Sequence, residues 1–388
     1  MTPGARVAAA IEIVDAILAG QAAEPAIARW SRASRFAGSK DRAAVRDLVF
    51  DALRAKRSLA AQGGAETGRS ILLALTDGQG MCDALFSGEG HAPAPPTEDE
   101  RAALARTPDL TDAEAANLPD WIWPLWQDAL GADAMQAARR LRDRAGIFLR
   151  VNQSRTTVSD AISALAADGV TAQALYAPVG ALEAIDGSRA IRQARAYLDG
   201  FVELQDPASQ IAISGLPLSD GMRVLDYCAG GGGKALAMAD RAAVSVTAHD
   251  IALARMADIP ARAARAGKTI DIVGPKQLSG SFDLIFVDAP CSGSGTWRRT
   301  PDAKWRLTHK DLDGLTRTQS DILARASQFV AGGGFLSYAT CSVLTQENES
   351  IVERFMQDHP EWSTEHEMRL KPTTSHDGFY LRLLKAPQ

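Results

Sequence analysis

The chain has 388 residues, 46% hydrophobic and 23% charged, an ordinary globular balance with more length than one core usually organises, so two or three domains are expected. No apolar run reaches the roughly 18 residues of a membrane-spanning helix, and the opening Met1-Thr2-Pro3-Gly4-Ala5-Arg6 lacks the apolar core of a secretory signal, so a cytoplasmic protein with no membrane partner is expected. The net charge of −5 argues against a generic polyanion binder, and the four cysteines (Cys82, Cys228, Cys291, Cys341) form no C-x-x-C pair and have no histidine at zinc-ligand spacing, so no metal is expected.

The first segment reads as helical. Val7, Ile11, Val14 and Leu18 recur at spacings of four, three and four, and Val45, Leu48, Val49 and Ala52 repeat the pattern after Ser39, the expected N-cap. Residues 29–57 carry nine basic residues (Arg29, Arg32, Arg35, Lys40, Arg42, Arg46, Arg54, Lys56, Arg57) against Asp41, Asp47 and Asp51, a local net of +6. Such a patch, rather than the total charge, is the footprint of nucleic-acid binding, although a solvated helix surface looks the same. A Gly/Pro-rich linker follows near 87–97, and the aromatics of Trp121-Ile122-Trp123-Pro124-Leu125-Trp126 read as packing anchors. The helical domain is expected over 1–140.

Residues 141–205 read as a small α+β module of RRM-like type, with strands at 147–151, 170–175 and 200–204 and a helix over 157–167. From 206 to 388 the rhythm is strand, helix, strand, helix, which predicts a doubly wound parallel sheet. Its expected strands are Met222–Asp226, Val244–His249, Ile270–Val273, Phe282–Asp288 and Phe335–Ala339, with a helix from about Lys310 to Val330 that stops at Gly332-Gly333-Gly334.

The first of these strands runs into Cys228-Ala229-Gly230-Gly231-Gly232-Gly233-Lys234. Glycines let a backbone approach a ligand and offer it N–H groups. The run ends too early for a dinucleotide G-x-G-x-x-G, and Ala235 stands where a phosphate loop needs Ser or Thr. The remaining common reading is a loop under S-adenosylmethionine. Asp250 ends the second strand 24 residues after Asp226, where an acid can hold ribose hydroxyls; alone it would be an ordinary turn residue.

Two thiols end two further strands. Cys291 lies in Asp288-Ala289-Pro290-Cys291-Ser292-Gly293-Ser294-Gly295, and Cys341 in Thr340-Cys341-Ser342. Ligands bind at the carboxyl ends of strands in open α/β sheets, so a carboxylate and two thiols on that edge point to thiol chemistry. Between them, residues 296–310 carry Arg298, Arg299, Lys304, Arg306 and Lys310 against Asp302, with Trp297 and Trp305 able either to stack on bases or to pack.

These residues together resemble the RsmB/NOP/Sun family of RNA 5-methylcytosine methyltransferases. The matches are Gln205-Asp206-Pro207-Ala208-Ser209-Gln210, the Cys228–Lys234 loop, Asp250 with Arg255, Asp288–Gly295, Arg298-Arg299, Pro301-Asp302, Lys304-Trp305-Arg306, Thr340-Cys341-Ser342, Glu347-Asn348-Glu349 and Asp377-Gly378-Phe379. Two departures stand out: Gly230-Gly231 replaces the family's usual Ala-Pro, and Val273-Gly274-Pro275 stands where the family's third strand ends near an aspartate. The first 140 residues are similar to the NusB-type RNA-binding domain of the RsmB branch, through Asp41-Arg42 and Asp47-Leu48-Val49-Phe50.

The resemblance implies a Rossmann-like methyltransferase domain and a cofactor, S-adenosylmethionine, held by Cys228, Ala229, Gly230, Gly231, Gly232, Gly233, Lys234, Asp250, Arg255 and Asp288. It implies Cys341 as the nucleophile that adds to cytosine C6, Cys291 as the group that removes the C5 proton, Asp288 at the cytosine edge and Lys234 as the orienting cation. The substrate it implies is 16S ribosomal RNA. Transfer RNA, a DNA-type arrangement with Cys291 attacking, and a non-catalytic RNA-binding assembly factor remain open at this point.

Overall fold

All five apolar runs expected as strands fall in one sheet. The computed structural model describes residues 1–388 and separates them into two units, Met1–Arg144 with Trp297–Leu307, and Ala145–Thr296 with Thr308–Gln388.

In the second unit, four short strands come first: β1 (Ile147–Val151), β2 (Thr171–Ala174), β3 (Ala181–Asp186) and β4 (Val202–Leu204). They form an antiparallel sheet in the order β2-β3-β1-β4. The sequence reading lacked β3, which pairs with both β1 and β2. One face of this sheet packs Leu149, Val151, Leu182 and Ala184 against the helix Val158–Ala167. The other face is tied down by charge. Arg150 donates to Asp240 at 2.8 Å, and Glu203 on β4 accepts from Arg265 at 2.8 Å. RNA-binding modules of this shape use that face for stacking; here it is committed to the larger sheet's helices.

That larger sheet contains β5 (Arg223–Asp226), β6 (Ser245–His249), β7 (Ile270–Val273), β8 (Phe282–Asp288), β9 (Val330–Thr340), β10 (Ser363–Leu370) and β11 (Phe379–Lys385), in the order β10-β11-β9-β8-β5-β6-β7. β5 to β9 are parallel, while β11 runs antiparallel to both β9 and β10. The fold is α/β with a mixed sheet. Alternation along β8 sends Leu284 and Phe286 to one face, with Met238 and Ala212, and Ile285 and Val287 to the other, with Leu323 and Val352. Burial on both faces explains the continuous apolar runs. The order reverses between β5 and β8, so their carboxyl ends open a crevice.

One boundary differs from the sequence reading. The helix His309–Ser327 ends before the triple glycine, and Gly332-Gly333-Gly334 lies inside β9, where the ladder with β8 shifts register.

The first unit is helical. Its core joins Val7, Val14, Val49, Leu53, Ile71, Leu72 and Phe86. Ser39 is the first residue of the helix Ser39–Arg54, not its cap; the Gly38 amide precedes it and donates to Asp41. The segment Trp297–Leu307 completes this unit. Trp297 is fully buried and stacks on Trp126 at 6.0 Å. Arg54 Nε donates to the Arg298 carbonyl at 3.0 Å, Lys304 Nζ donates to the Arg54 carbonyl, and Trp305 Nε1 donates to the Leu53 carbonyl. The basic run 296–310 is therefore not a continuous solvent-facing patch: Arg298 and Lys304 are each 1% exposed.

Candidate active site

The crevice edge carries the ends of β5, β6, β8 and β9, which is where the residues singled out from the sequence converge. Lys234, in the first turn of the helix Gly233–Arg241, donates to Asp288 Oδ2 at 2.6 Å. Burial works to lower this ammonium, but the Asp288 charge and hydrogen bond outweigh it, and the net shift is upward. Lys234 is therefore a fixed cation. Its charge also acts on Cys341.

Cys291 Sγ and Cys341 Sγ stand 3.4 Å apart. The bond to Cys341, reinforced by burial, pushes the Cys291 thiol well above its ordinary range; either sulfur can be the donor.

The two thiol-bearing loops are held in register by Glu347, a buried carboxylate that the sequence reading quoted without a role. Glu347 accepts from the Ser292 amide at 2.7 Å and from the Ser292 and Ser342 hydroxyls at 2.5 Å each. Gln319 adds a bond to Glu347 and another to the Pro290 carbonyl. Each serine follows a cysteine, so one carboxylate fixes both sulfurs. Gly295 locks the same region: its amide donates to the Cys341 carbonyl, and a Cβ there would lie 2.5 Å from the Gly378 oxygen.

Beside this dyad lie two adjoining cavities. The smaller, about 360 Å³, is lined by Asp226, Cys228, Ala229, Gly230, Gly231, Gly233, Lys234, Arg255, Arg262 and Asp288. Asp226 is 1% exposed, and neither carboxylate oxygen meets a hydrogen-bond donor. Burial raises its carboxyl to about 7. Arg255 and Arg262 line the same cavity and approach the glycine loop so closely that Cβ atoms at Gly230 and Gly231 would lie 3.2 and 3.1 Å from their guanidinium nitrogens. An unpartnered buried carboxylate and guanidinium groups lining one cavity fit a zwitterionic amino-acid moiety. Gly232 turns the loop at φ +76°, where a side chain would also strike Ile259.

The larger cavity, about 660 Å³, is lined by Tyr227, Cys228, His249, Asp250, Ile251, Arg255, Pro275, Leu278, Pro290, Asp321, Ile322 and Phe329, among others. Its largely apolar walls fit a flat ring. Asp250 is buried and pins the glycine loop, accepting from the Gly230 amide at 3.0 Å and the Ala252 amide at 2.9 Å, with Arg255 at 3.1 Å. Cys228 is held protonated by burial and packs between the cavities. No carboxylate closes β7, and Asp321 is among the residues that line this cavity.

Two family profiles match in chain order: "Methyltr_RsmF/B-like, ferredoxin-like domain" over residues 118–182 and "16S rRNA methyltransferase RsmB/F" over residues 214–385. The chain belongs to the RsmB/NOP/Sun family. Among RsmB relatives, a protein of Bacillus subtilis named as a probable ribosomal RNA small subunit methyltransferase B is 31% identical over 63% of this chain. The match spans 57% of that relative's length. Among solved structures, that of PH0851 superposes over 99% of both chains with a TM-score of 0.75 at 21% identity. NSun6 from Pyrococcus horikoshii with SFG superposes over 70% of this chain and 98% of its own, with a TM-score of 0.62 at 16% identity. These likenesses show the fold.

Proposed function

We propose that the protein is an S-adenosylmethionine-dependent RNA methyltransferase that forms 5-methylcytosine in 16S ribosomal RNA, with the helical unit serving as a NusB-type RNA-binding domain. The observation that carries the reading is the thiol pair at 3.4 Å beside the Lys234–Asp288 ion pair.

C5 of cytosine is a poor nucleophile. Addition of the Cys341 sulfur to C6 makes C5 enamine-like, which is covalent catalysis. Lys234, bonded to Asp288, would orient the site. Asp288, oriented by Lys234, would hydrogen-bond the N3 edge once protonated. Cys291 holds its proton in the resting protein; once it has passed that proton to solvent, its thiolate would take the one from C5 and free the enzyme. The cofactor, when bound, supplies an electrophilic methyl group. Asp226 would receive its ammonium, Arg255 and Arg262 its carboxylate, and Asp250 its ribose hydroxyls. Asp321 is the carboxylate available to the exocyclic amine of its adenine, in place of the absent acid at the end of β7.

The test is adduct trapping. Cys291→Ala and Cys341→Ala proteins are incubated with S-adenosylmethionine and unmodified 16S ribosomal RNA, then resolved on a denaturing gel. A retarded, nuclease-sensitive band with Cys291→Ala and none with Cys341→Ala is expected. The reverse pattern would assign attack to Cys291. No band from either, together with no cofactor binding by calorimetry, would leave an RNA-binding assembly factor.

A further inference from the structure

The loop beside the smaller cavity has no side chains between Gly230 and Gly233 to hold its shape. Consecutive glycines leave a chain many conformations, so the one adopted must be imposed by its neighbours. Two of its amides are engaged nearby: Gly230 donates to Asp250, and Gly232 to the Ala229 carbonyl at 2.8 Å. Two of its carbonyls are held from other elements. Arg262 Nη1, on the helix Ile259–Ala266, donates to the Gly231 carbonyl. Gln205 Nε2 donates to the Gly233 carbonyl at 3.1 Å.

Both of these side chains are in turn held by the small antiparallel sheet. Glu203 on β4 accepts from Arg262 Nε at 3.4 Å as well as from Arg265. Arg150 on β1 donates from Nε to Gln205 Oε1 at 2.9 Å. Arg150 and Glu203 are direct partners across the β1/β4 ladder, so both side chains leave the same face, and both are buried. Docking one module on another does not call for this, since a buried charge is often no more stabilising than apolar packing of the same volume. Packing alone does not explain why two paired charges each lead, through one further side chain, to a carbonyl of the same glycine loop.

We infer that Glu203 is a positioning residue for the cofactor loop: with Arg150 it makes the small sheet a frame that keeps Arg262 and Gln205 on the Gly231 and Gly233 carbonyls. This rests on the reading of the loop as the seat of S-adenosylmethionine. It adds that the antiparallel module, whose charged face is committed to the larger sheet, serves methyl transfer by shaping that seat. Arg262 Nη2 engages neither Gly231 nor Glu203 and is the nitrogen left for the cofactor carboxylate.

The test uses the full chain and two measurements: amide hydrogen exchange over residues 228–236 without cofactor, and calorimetric binding of S-adenosylmethionine. Glu203→Gln is expected to speed exchange in the loop and to weaken cofactor binding, each about tenfold, as loss of a charge-assisted hydrogen bond should. Exchange in β1 and β3 should stay as in the wild type. Arg265→Met takes the other cation from Glu203 without touching the loop and should leave both quantities within about twofold. Gly231→Ala supplies a rescue, because Gly231 is not at positive φ and a Cβ there meets only Arg262 Nη1. Added to Glu203→Gln, it should recover about threefold in affinity by removing open conformations of the loop. A fault in module packing would not respond to it. Unchanged loop exchange in Glu203→Gln would overturn the inference. So would faster exchange spread equally over β1, β3 and the loop, which would leave Glu203 a packing residue. If the wild type binds no S-adenosylmethionine, the cofactor reading falls, whatever the exchange shows; if it binds and loop exchange is unchanged, the inference falls alone.

Discussion

At the scale of single residues, Asp226 is the most consequential group that the sequence reading passed over. It was visible only as the last residue of an apolar strand, and nothing local distinguishes a strand-end acid on the surface from one sealed in a cavity. Its raised carboxyl has a definite sign. Between its ordinary value of 3.8 and about 7, the folded protein keeps a proton that the unfolded chain has released. This group therefore subtracts stability as pH rises through that window, and the loss is complete above about 7. A bound ammonium replaces the proton, so cofactor affinity should be about tenfold weaker at pH 6 than at pH 8, the penalty for one unit below the titration point. Calorimetry in two buffers of different ionisation heat should show proton release on binding near pH 6, and Asp226→Asn should abolish it. Binding with no pH dependence would mean that the ammonium lies elsewhere.

At the scale of elements, the thiols depend on loops, and the loops on Glu347. Strands β8 and β9 are neighbours in the ladder, which brings Asp288 opposite Ala339. Strand pairing alone does not fix the side chains beyond the strand ends. Glu347 does, through Ser292 and Ser342. Glu347→Gln replaces one acceptor oxygen by a donor and should lower kcat at least tenfold, the cost of a charge-assisted bond at roughly 1.5–3 kcal/mol, while leaving calorimetric cofactor affinity within about twofold. Glu347→Asp should recover part of the loss. A fall in cofactor affinity as large as the fall in kcat would make Glu347 a general stabiliser of the sheet edge.

The sequence carried these elements unevenly. The strands β5 to β9 were legible because burial on both faces leaves continuous apolar runs between helices. The partners of the thiol edge, Asp288 and Lys234, were legible because a carboxylate or lysine at a strand or loop end interrupts such a run. β3 was missed because Ala181-Leu182-Glu183-Ala184 does not alternate and carries no β-branched or aromatic residue to mark a strand. β10 was missed because it is an edge strand whose side chains are mostly exposed, so Ser363–Leu370 reads as polar coil. Glu347 was legible as part of a motif, but its role depends on two loops about 50 residues apart in sequence, Ser292 and Ser342.

At the scale of the whole molecule, the chain passes three times between its two units, at Arg144/Ala145, Thr296/Trp297 and Leu307/Thr308. No sequence signal marked the second and third passages, since Trp297, Lys304 and Trp305 in a basic stretch look like an RNA contact until their partners are seen. The passage has a practical meaning for anyone who divides the protein. A fragment ending at Arg144 would carry Trp126 without its stacking partner and the Leu53 and Arg54 carbonyls without their donors. Such a fragment should unfold at a lower temperature than the same unit in the intact chain, and a synthetic peptide of residues 297–307 added in trans should raise that temperature, while the same peptide with Trp297→Ala should not. The helical unit is thus completed by a piece that the ribosome adds last, and it reaches its final form only after most of the second unit has been made.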